Sequence, residues 1–197
     1  MKVSRAIAGG LATLTLPLVM LAGAPATAAS SEGAVSAAWL ASEVKSDGLL
    51  HTEWGPDYGL STDTMLTLHA LGGQSSAVTA IGSALAANPQ AYISGEAFGD
   101  TGSTYAGATG KLTVGLTTIG TNVSDVSGVN LKARLEPAIV TEGADTGRGT
   151  AVSRWGDYSN GVGQSWVTRG LIATDSALAD EAVTYVLGKQ CADGGFP

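Results

Sequence analysis

Three copies of one short motif divide this chain, and each copy stands just before an apolar run of helical length. An aromatic residue, a glycine and an aspartate, followed by a tyrosine, occur at residues 54–58, 98–105 and 155–158. The copies begin 44 and 57 positions apart. Self-similarity with a period of roughly 20–50 residues is typical of stacked supersecondary units. The chain is therefore predicted to fold as an array of helical hairpins.

A second helical element alternates with the first. Residues 38–49 align with residues 184–196, and both copies end at an Asp-Gly pair, where glycine can adopt the left-handed conformation that ends a helix. Residues 74–88 and 129–139 look like the same element in the middle copies, with Pro89 and Pro137 marking their ends.

The two elements differ in their polarity patterns. The run over residues 65–71 is apolar nearly all round, which predicts a buried helix, with His69 as a hydrogen-bonded core residue. The helix over residues 177–189 has one polar face and is predicted to lie outside. Alternating buried and amphipathic helices predict an all-α fold, a ring or solenoid of helical hairpins with one layer inside and one outside.

The first 28 residues have the pattern of a secretory signal peptide. Lys2 and Arg5 precede an uncharged apolar run over residues 6–23, and Ala26 and Ala28 are small residues at the positions that a signal peptidase inspects. We therefore divide the chain into a signal peptide, residues 1–28, and a repeat domain, residues 29–197. No later segment approaches the roughly 18 apolar residues of a spanning helix. A secreted protein, extracellular or at the cell surface, is expected.

Composition restricts the partners of the mature chain. Without Lys2 and Arg5, eight basic residues face 17 acidic ones, a net charge of −9, which disfavours nucleic acid as a partner. The 28 glycines are about twice the usual share and indicate tight turns or close helix contacts. Cys191 is the single cysteine of an exported chain; it is either a buried free thiol or a residue that has lost its disulfide partner.

Residues 190–196, Gln-Cys-Ala-Asp-Gly-Gly-Phe, carry a specific resemblance. A glutamine, three residues, a glycine, one residue and an aromatic resemble the prenyltransferase and squalene oxidase repeat of the terpenoid cyclase and protein prenyltransferase superfamily. Within it, the chain is most similar to secreted bacterial members of unassigned activity. The resemblance implies an α/α toroid built of helical hairpins, with outer and inner helices, incomplete in this chain at about three and a half repeats. Because the chain ends at Pro197, directly after the motif, the resemblance also implies a fragment, truncated at its C-terminus.

The same resemblance implies an enzyme as the alternative, a prenyltransferase-like or terpene-cyclase-like protein acting on an isoprenoid with part of its site missing. Cyclases of this kind use an aspartate-rich motif as proton donor; Asp57 and Asp63 are the nearest candidates, without an Asp-x-Asp-Asp cluster. The prenyltransferases bind zinc through Asp, Cys and His, but Cys191 stands far from His51 and His69. Catalytic residues therefore stay unknown, and no metal or cofactor is expected.

The repeated aromatic loops are the best candidate for a binding site. In a hairpin array, loops at equivalent points of each repeat fall on one rim, so their side chains are expected to gather around one mouth. Aromatic rings with carboxylates suit sugar rings, cations or an apolar chain. In the structural alternative, each aspartate caps an inner helix and each aromatic fills a gap between repeats. The candidate residues are Trp54, Asp57, Tyr58, Phe98, Asp100, Tyr105, Trp155, Asp157 and Tyr158.

These observations predict an exported, non-catalytic helical-repeat domain. It is expected to bind a ligand or a partner at the cell surface, with a glycan, an apolar ligand and a protein as the open possibilities.

Overall fold

The computed structural model describes residues 30–196, and the predicted signal peptide and Pro197 lie outside them. The described residues are mainly helical, which confirms the all-α prediction. Four two-residue strands form two antiparallel pairs, β1 (His51–Thr52) with β2 (Gly55–Pro56) and β3 (Thr104–Tyr105) with β4 (Ala151–Val152). The helices are α1 (Ser31–Ser42), α2 (Tyr58–Leu71), α3 (Ser75–Ala87), α4 (Gln90–Ile93), α5 (Ala106–Thr118), α6 (Leu131–Leu135), α7 (Gly161–Ala173) and α8 (Ala179–Gly188), with 3₁₀ turns at Glu96–Phe98 and Glu136–Ala138.

Polar side chains start several of these helices. The carboxylate of Asp57 accepts a hydrogen bond from the Leu60 N–H at the start of α2, at 2.8 Å. Asn160 accepts one from the Gly163 N–H in α7, at 2.9 Å. Such caps satisfy N–H groups that have no partner within the helix. Gly72 ends α2 with a positive φ of 73°, which is accessible to glycine at little cost.

Helices α2, α5 and α7 contact one another in sequence, with α5 in the middle of the row. Helices α1 and α3 pack against α2, while α6 and α8 pack against α7. In α3, Val78, Ile81 and Leu85 are buried on one face, which confirms an amphipathic helix over residues 74–88. Among the described residues, no helix has the length and apolarity that a membrane span requires.

The prediction that residues 65–71 are buried all round is wrong. Met65 and Leu68 are fully buried, but His69 and Ala70 are exposed, so His69 is not a core residue. Neighbouring helices cover only part of the surface of α2, and a histidine or an alanine is tolerated on the open part. The helix predicted over residues 129–139 is also shorter than expected, since α6 ends at Leu135 and Pro137 lies in a 3₁₀ turn.

Helix α5 joins the two hydrophobic clusters of the core. Leu112 and Leu116 lie in the larger cluster, which gathers buried side chains from α1, α2 and α3. Ala106, at the start of the same helix, belongs to the smaller cluster, which gathers α6, α7 and α8. The buried Thr113 hydroxyl of α5 is satisfied locally, since it donates to the Thr109 carbonyl oxygen at 2.7 Å. Hydroxyls bonded in this way can be buried without an unsatisfied group.

Glycines bring the backbones of α5 and α7 into contact. A Cβ at Gly107 would lie 2.8 Å from the Gly163 Cα, and a Cβ at Gly110 would lie 2.5 Å from the Trp166 carbonyl oxygen. A Cβ at Gly170 would lie 2.9 Å from the Gly110 Cα. Cβ atoms do not approach backbone this closely, so the spacing of the two helices requires glycine. The prediction that the glycines serve close helix contacts is confirmed here.

The two Asp-Gly copies adopt the same turn. Gly48 and Gly194 have positive φ values of 83° and 88°. The preceding aspartates, Asp47 and Asp193, each accept a hydrogen bond from the N–H two residues on, at 3.1 and 3.0 Å. The turns follow the helices rather than cap them, because α1 already ends at Ser42 and α8 at Gly188. The two segments share one turn geometry, but the prediction that each glycine caps its helix is wrong.

Candidate functional site

A cleft of about 470 Å³ lies beside the N-terminal halves of α5 and α7. Backbone contact between Gly107 and Gly163 occurs where both residues line this cleft. Its volume is within the range of small-ligand sites in proteins. The side chains that give the cleft its chemical character are Tyr92, Tyr105, Lys111, Trp155, Tyr158 and Trp166.

Two of the predicted loops are joined beside the cleft. Strand β3 of the second loop pairs with β4, which leads into the third loop. The Arg154 N–H donates to one oxygen of Asp100 at 3.0 Å, and the Tyr105 hydroxyl donates to the other at 3.2 Å. Asp100 is buried. The Arg154 N–H lowers the pKa of Asp100, whereas burial, reinforced by Asp100, raises the pKa of Tyr105. Asp100 thus holds the second loop against the third.

Asp157 stabilises the third loop from within. Its carboxylate accepts hydrogen bonds from the N–H groups of Ala151 and Ser159, at 2.9 and 3.0 Å. The Arg148 guanidinium donates to it at 2.6 Å. Burial alone would raise the pKa of Asp157, but these hydrogen bonds outweigh it and lower the pKa well below its usual range. The ionised carboxylate therefore ties the loop that carries Trp155 to β4.

Replacement of Asp157 with asparagine is expected to destabilise the chain by about 1 kcal/mol at pH 7, since an exposed charge-assisted bond is screened by solvent. A depressed folded-state pKa stabilises the protein above the unfolded-state pKa, about 4, and that contribution is lost as pH falls through the folded-state value. The stability difference between the wild type and Asp157→Asn should be constant from pH 7 to about pH 5 and shrink below about pH 4. Urea unfolding over this pH range measures it.

The exposed residue Glu142 provides the control for that prediction. Glu142→Gln removes one carboxylate from a loop and should change the stability by less than about 0.5 kcal/mol at every pH. A difference for Asp157→Asn that grows toward low pH would contradict the assignment of Asp157 as a stabilising carboxylate.

The aromatic side chains of the third loop present their rings to solvent. Trp155 is 63% exposed although the Arg154 guanidinium lies over its ring, 4.2 Å from the centroid, so the opposite face of the indole is free. Tyr158 is 67% exposed, and its hydroxyl donates to the Trp155 carbonyl oxygen at 3.1 Å. These contacts fix two exposed rings in place, which lowers the entropy lost when a ligand stacks on them.

An acidic, a basic and an aromatic side chain lie side by side on α2, α5 and α7. Asp63, Lys111 and Trp166 are each the sixth residue of their helix, in α2, α5 and α7 respectively. The Lys111 ammonium lies 2.6 Å from the Asp63 carboxylate and 5.5 Å from the Trp166 ring centroid. The Arg169 guanidinium lies 4.4 Å from the same centroid. The cleft therefore contains one ammonium group that is held beside an indole.

The first loop reaches the cleft only through a neighbouring ring. Tyr58 stacks against Tyr92, with ring centroids 6.3 Å apart and planes 15° apart. Tyr92 in turn lines the cleft. Burial raises the pKa of Tyr92, and the carboxylates of Asp63 and Asp57 raise it further. Tyr92 therefore stays a neutral hydroxyl at any physiological pH.

The nine residues predicted as ligand-binding have different positions in the structure. Tyr105, Trp155 and Tyr158 line the cleft, and Tyr58 lies behind Tyr92. Trp54 and Phe98 are 89% and 80% exposed and do not line it. Asp57, Asp100 and Asp157 do not line it either.

The structural alternative is correct for one aspartate of the three. Asp57 caps α2, whereas Asp100 and Asp157 bond to loop backbone, and the cap of α7 comes from Asn160. The four most exposed aromatics of the loops do not fill gaps between repeats: Trp54, Phe98, Trp155 and Tyr158.

Sequence reasoning missed Tyr92, Lys111 and Trp166, because it followed the loops and not the helices behind them. A signal was present, since Lys111 and Trp166 stand at the same distance from the start of their helices as Asp63 in α2. Tyr92 had no comparable signal, because α4 is a four-residue helix without a counterpart among the repeats.

The histidines and the cysteine lie apart from the cleft. His51 Nε2 lies 2.8 Å from an oxygen of Asp47, and this hydrogen bond lowers the pKa of Asp47. Cys191 is exposed, so the expectation of a buried thiol is wrong. Cys191 lies in the exposed turn that follows α8. Within residues 30–196, no three His, Cys, Asp or Glu side chains converge as metal ligands would.

Comparison of the chain with family models, with curated proteins and with solved structures found no match.

Proposed function

We propose that this chain is an exported, non-catalytic helical-repeat domain that binds a ligand outside the cell or at its surface. The observation that carries the proposal is the cleft beside α5 and α7, where two joined loops present Tyr105, Trp155 and Tyr158. Fixed, exposed aromatic rings beside a cleft are typical of recognition sites. The pattern of residues 1–28 supports export.

The overall arrangement that we propose is an α/α toroid of hairpins, incomplete in this chain, as in the terpenoid cyclase and protein prenyltransferase superfamily. Two findings support it: the contacts of α2, α5 and α7 in one row with the other long helices beside them, and the shared turn at Gly48 and Gly194.

The environments of Asp57 and Asp63 favour a binding role over an enzyme that converts an isoprenoid. Asp57 is engaged in capping α2. Asp63 is half exposed and bonded to Lys111. A carboxylic acid that protonates an alkene must be kept neutral in an apolar pocket, and neither side chain lies in one.

Ligand binding tests the proposal directly. The full chain is expressed in a bacterial host, and protein is recovered from the medium, where an N-terminus near residue 29 is expected. Ligand-observed NMR then screens soluble oligosaccharides, isoprenoid alcohols, short peptides and choline. At least one class should bind, and Trp155→Ala should weaken binding about tenfold. The matched control, Trp39→Ala, changes an exposed tryptophan of α1 and should bind like the wild type.

Two results would contradict the proposal. One is the absence of binding by every class, or binding that Trp155→Ala and Trp39→Ala affect equally. The other is release of pyrophosphate from farnesyl or geranylgeranyl diphosphate by the purified chain, which would establish the enzyme instead.

A further inference from the structure

We infer that the ligand of this cleft is a neutral saccharide whose pyranose rings stack on Trp155 and Tyr158. The inference rests on the proposed function and names the chemical class of the ligand. It follows from the ring faces, the charges and the polar groups of the cleft.

The exposed rings are suited to the flat faces of sugars. A pyranose presents several polarised C–H groups on one face, and an aromatic ring presents a negative face to which such groups are attracted. Trp155 and Tyr158 offer ring faces to solvent, at 63% and 67% exposure, on one loop. The Tyr158 hydroxyl is bonded to the Trp155 carbonyl oxygen, which holds the Tyr158 ring beside the Trp155 backbone. Adjacent platforms of this kind favour a ligand with repeating flat units.

The charges in and near the cleft disfavour ionic ligands of either sign. A cationic ligand seeking an aromatic face would meet the guanidinium groups of Arg154 and Arg169, which already lie over Trp155 and Trp166 respectively. The Lys111 ammonium is in turn neutralised by Asp63. An acidic polymer would approach a mature chain with a net charge of −9 and be repelled at long range.

Polar groups on the cleft wall disfavour a purely apolar chain. Lys111 has hydrogen-bond donors beyond the one directed at Asp63, and its side chain is only 12% exposed. Ser153 and Asn160 also line the cleft, and each already accepts a hydrogen bond from a backbone N–H, of Trp155 and Gly163 respectively. An apolar ligand would remove the Lys111 ammonium from water without replacing its hydrogen bonds, which carries a free-energy cost. Sugar hydroxyls replace those bonds, while the C–H faces cover the rings.

Isothermal titration calorimetry of the purified chain tests this inference. The neutral probes are cellotetraose, maltotetraose and chitotetraose. The comparison probes are a galacturonate tetramer, choline and farnesol. At least one neutral tetrasaccharide should bind, at least about tenfold more tightly than any comparison probe. Trp155→Ala and Tyr158→Ala should each weaken its binding about tenfold, whereas Tyr158→Phe keeps the ring and should stay within about threefold of the wild type.

Matched variants separate the cleft from other exposed tryptophans. Trp54→Ala, at the tip of the β1–β2 hairpin, and Trp39→Ala, on α1, should leave binding unchanged, and circular dichroism checks that all variants fold. If choline, farnesol or the acidic tetramer binds more tightly and depends on Trp155, the saccharide inference is wrong and the proposed function stands. If no probe binds, both are wrong. Saccharide binding that survives Trp155→Ala and Tyr158→Ala would place the sugar elsewhere and overturn the inference.

Discussion

Replacing Gly110 with alanine is expected to destabilise the folded chain by about 3 kcal/mol, the upper part of the range for an overpacked core. A Cβ at this position would lie 2.5 Å from the carbonyl oxygen of Trp166 and 2.8 Å from the Cα of Val167. Both atoms belong to the backbone of α7, so no side chain can rotate away. Relief requires that α5 and α7 separate, which opens the core between them. Urea unfolding followed by far-UV circular dichroism measures the loss.

Gly188 provides the matched control for this substitution. It is the last residue of α8, and a Cβ there would meet no atom within 4 Å. Gly188→Ala therefore adds helix propensity without a clash and should leave the protein unchanged or stabilise it by up to about 1 kcal/mol. If Gly110→Ala and Gly188→Ala give equal stabilities, the helices are not in backbone contact at Gly110.

Leu68→Ala should lower the free energy of unfolding by about 3 kcal/mol. Leu68 is fully buried in the larger hydrophobic cluster, together with Met65 of the same helix and Leu116 of α5. Truncation of a buried leucine loses its transfer free energy and leaves a cavity, at a typical total of about 2–5 kcal/mol. Chemical denaturation measures the effect, with the m-value as a check that unfolding stays two-state.

Leu60→Ala tests the same chemistry on the exposed side of α2. Leu60 is 42% exposed, and its N–H, which the Asp57 cap uses, is kept in the variant. The expected loss is below about 1 kcal/mol. A Leu68→Ala loss no greater than that of Leu60→Ala would show that α2 does not bury the face described above.

Local sequence signals predicted the helices, because those signals act within one turn. The cap at Asp57 and the Asp-Gly turns depend on residues two or three positions apart. The pattern also predicted that α3 has one buried face. It overestimated the burial of α2, because an apolar run does not show how much of the helix surface its neighbours will cover. It overestimated the length of α6, where Pro137 favours a 3₁₀ turn.

The candidate site was predicted less well, because its decisive contacts are long-range. The hydrogen bond from Arg154 to Asp100 joins residues 54 positions apart, and no pattern around either residue indicates it. Helix caps were expected from Asp100 and Asp157, but both carboxylates bond to loop backbone beside the paired strands β3 and β4. Tyr105, Trp155 and Tyr158 were nevertheless identified, since the repeat placed their loops beside equivalent helices.

The glycine contact between α5 and α7 also shapes the wall of the cleft. Gly107 and Gly163 line it, so part of that wall is main chain in direct contact rather than rotatable side chains. Exchange of the surrounding aromatic residues would alter the affinity of the cleft while leaving this main-chain surface the same. Variants with a new ligand preference should therefore keep one unaltered backbone surface against the ligand.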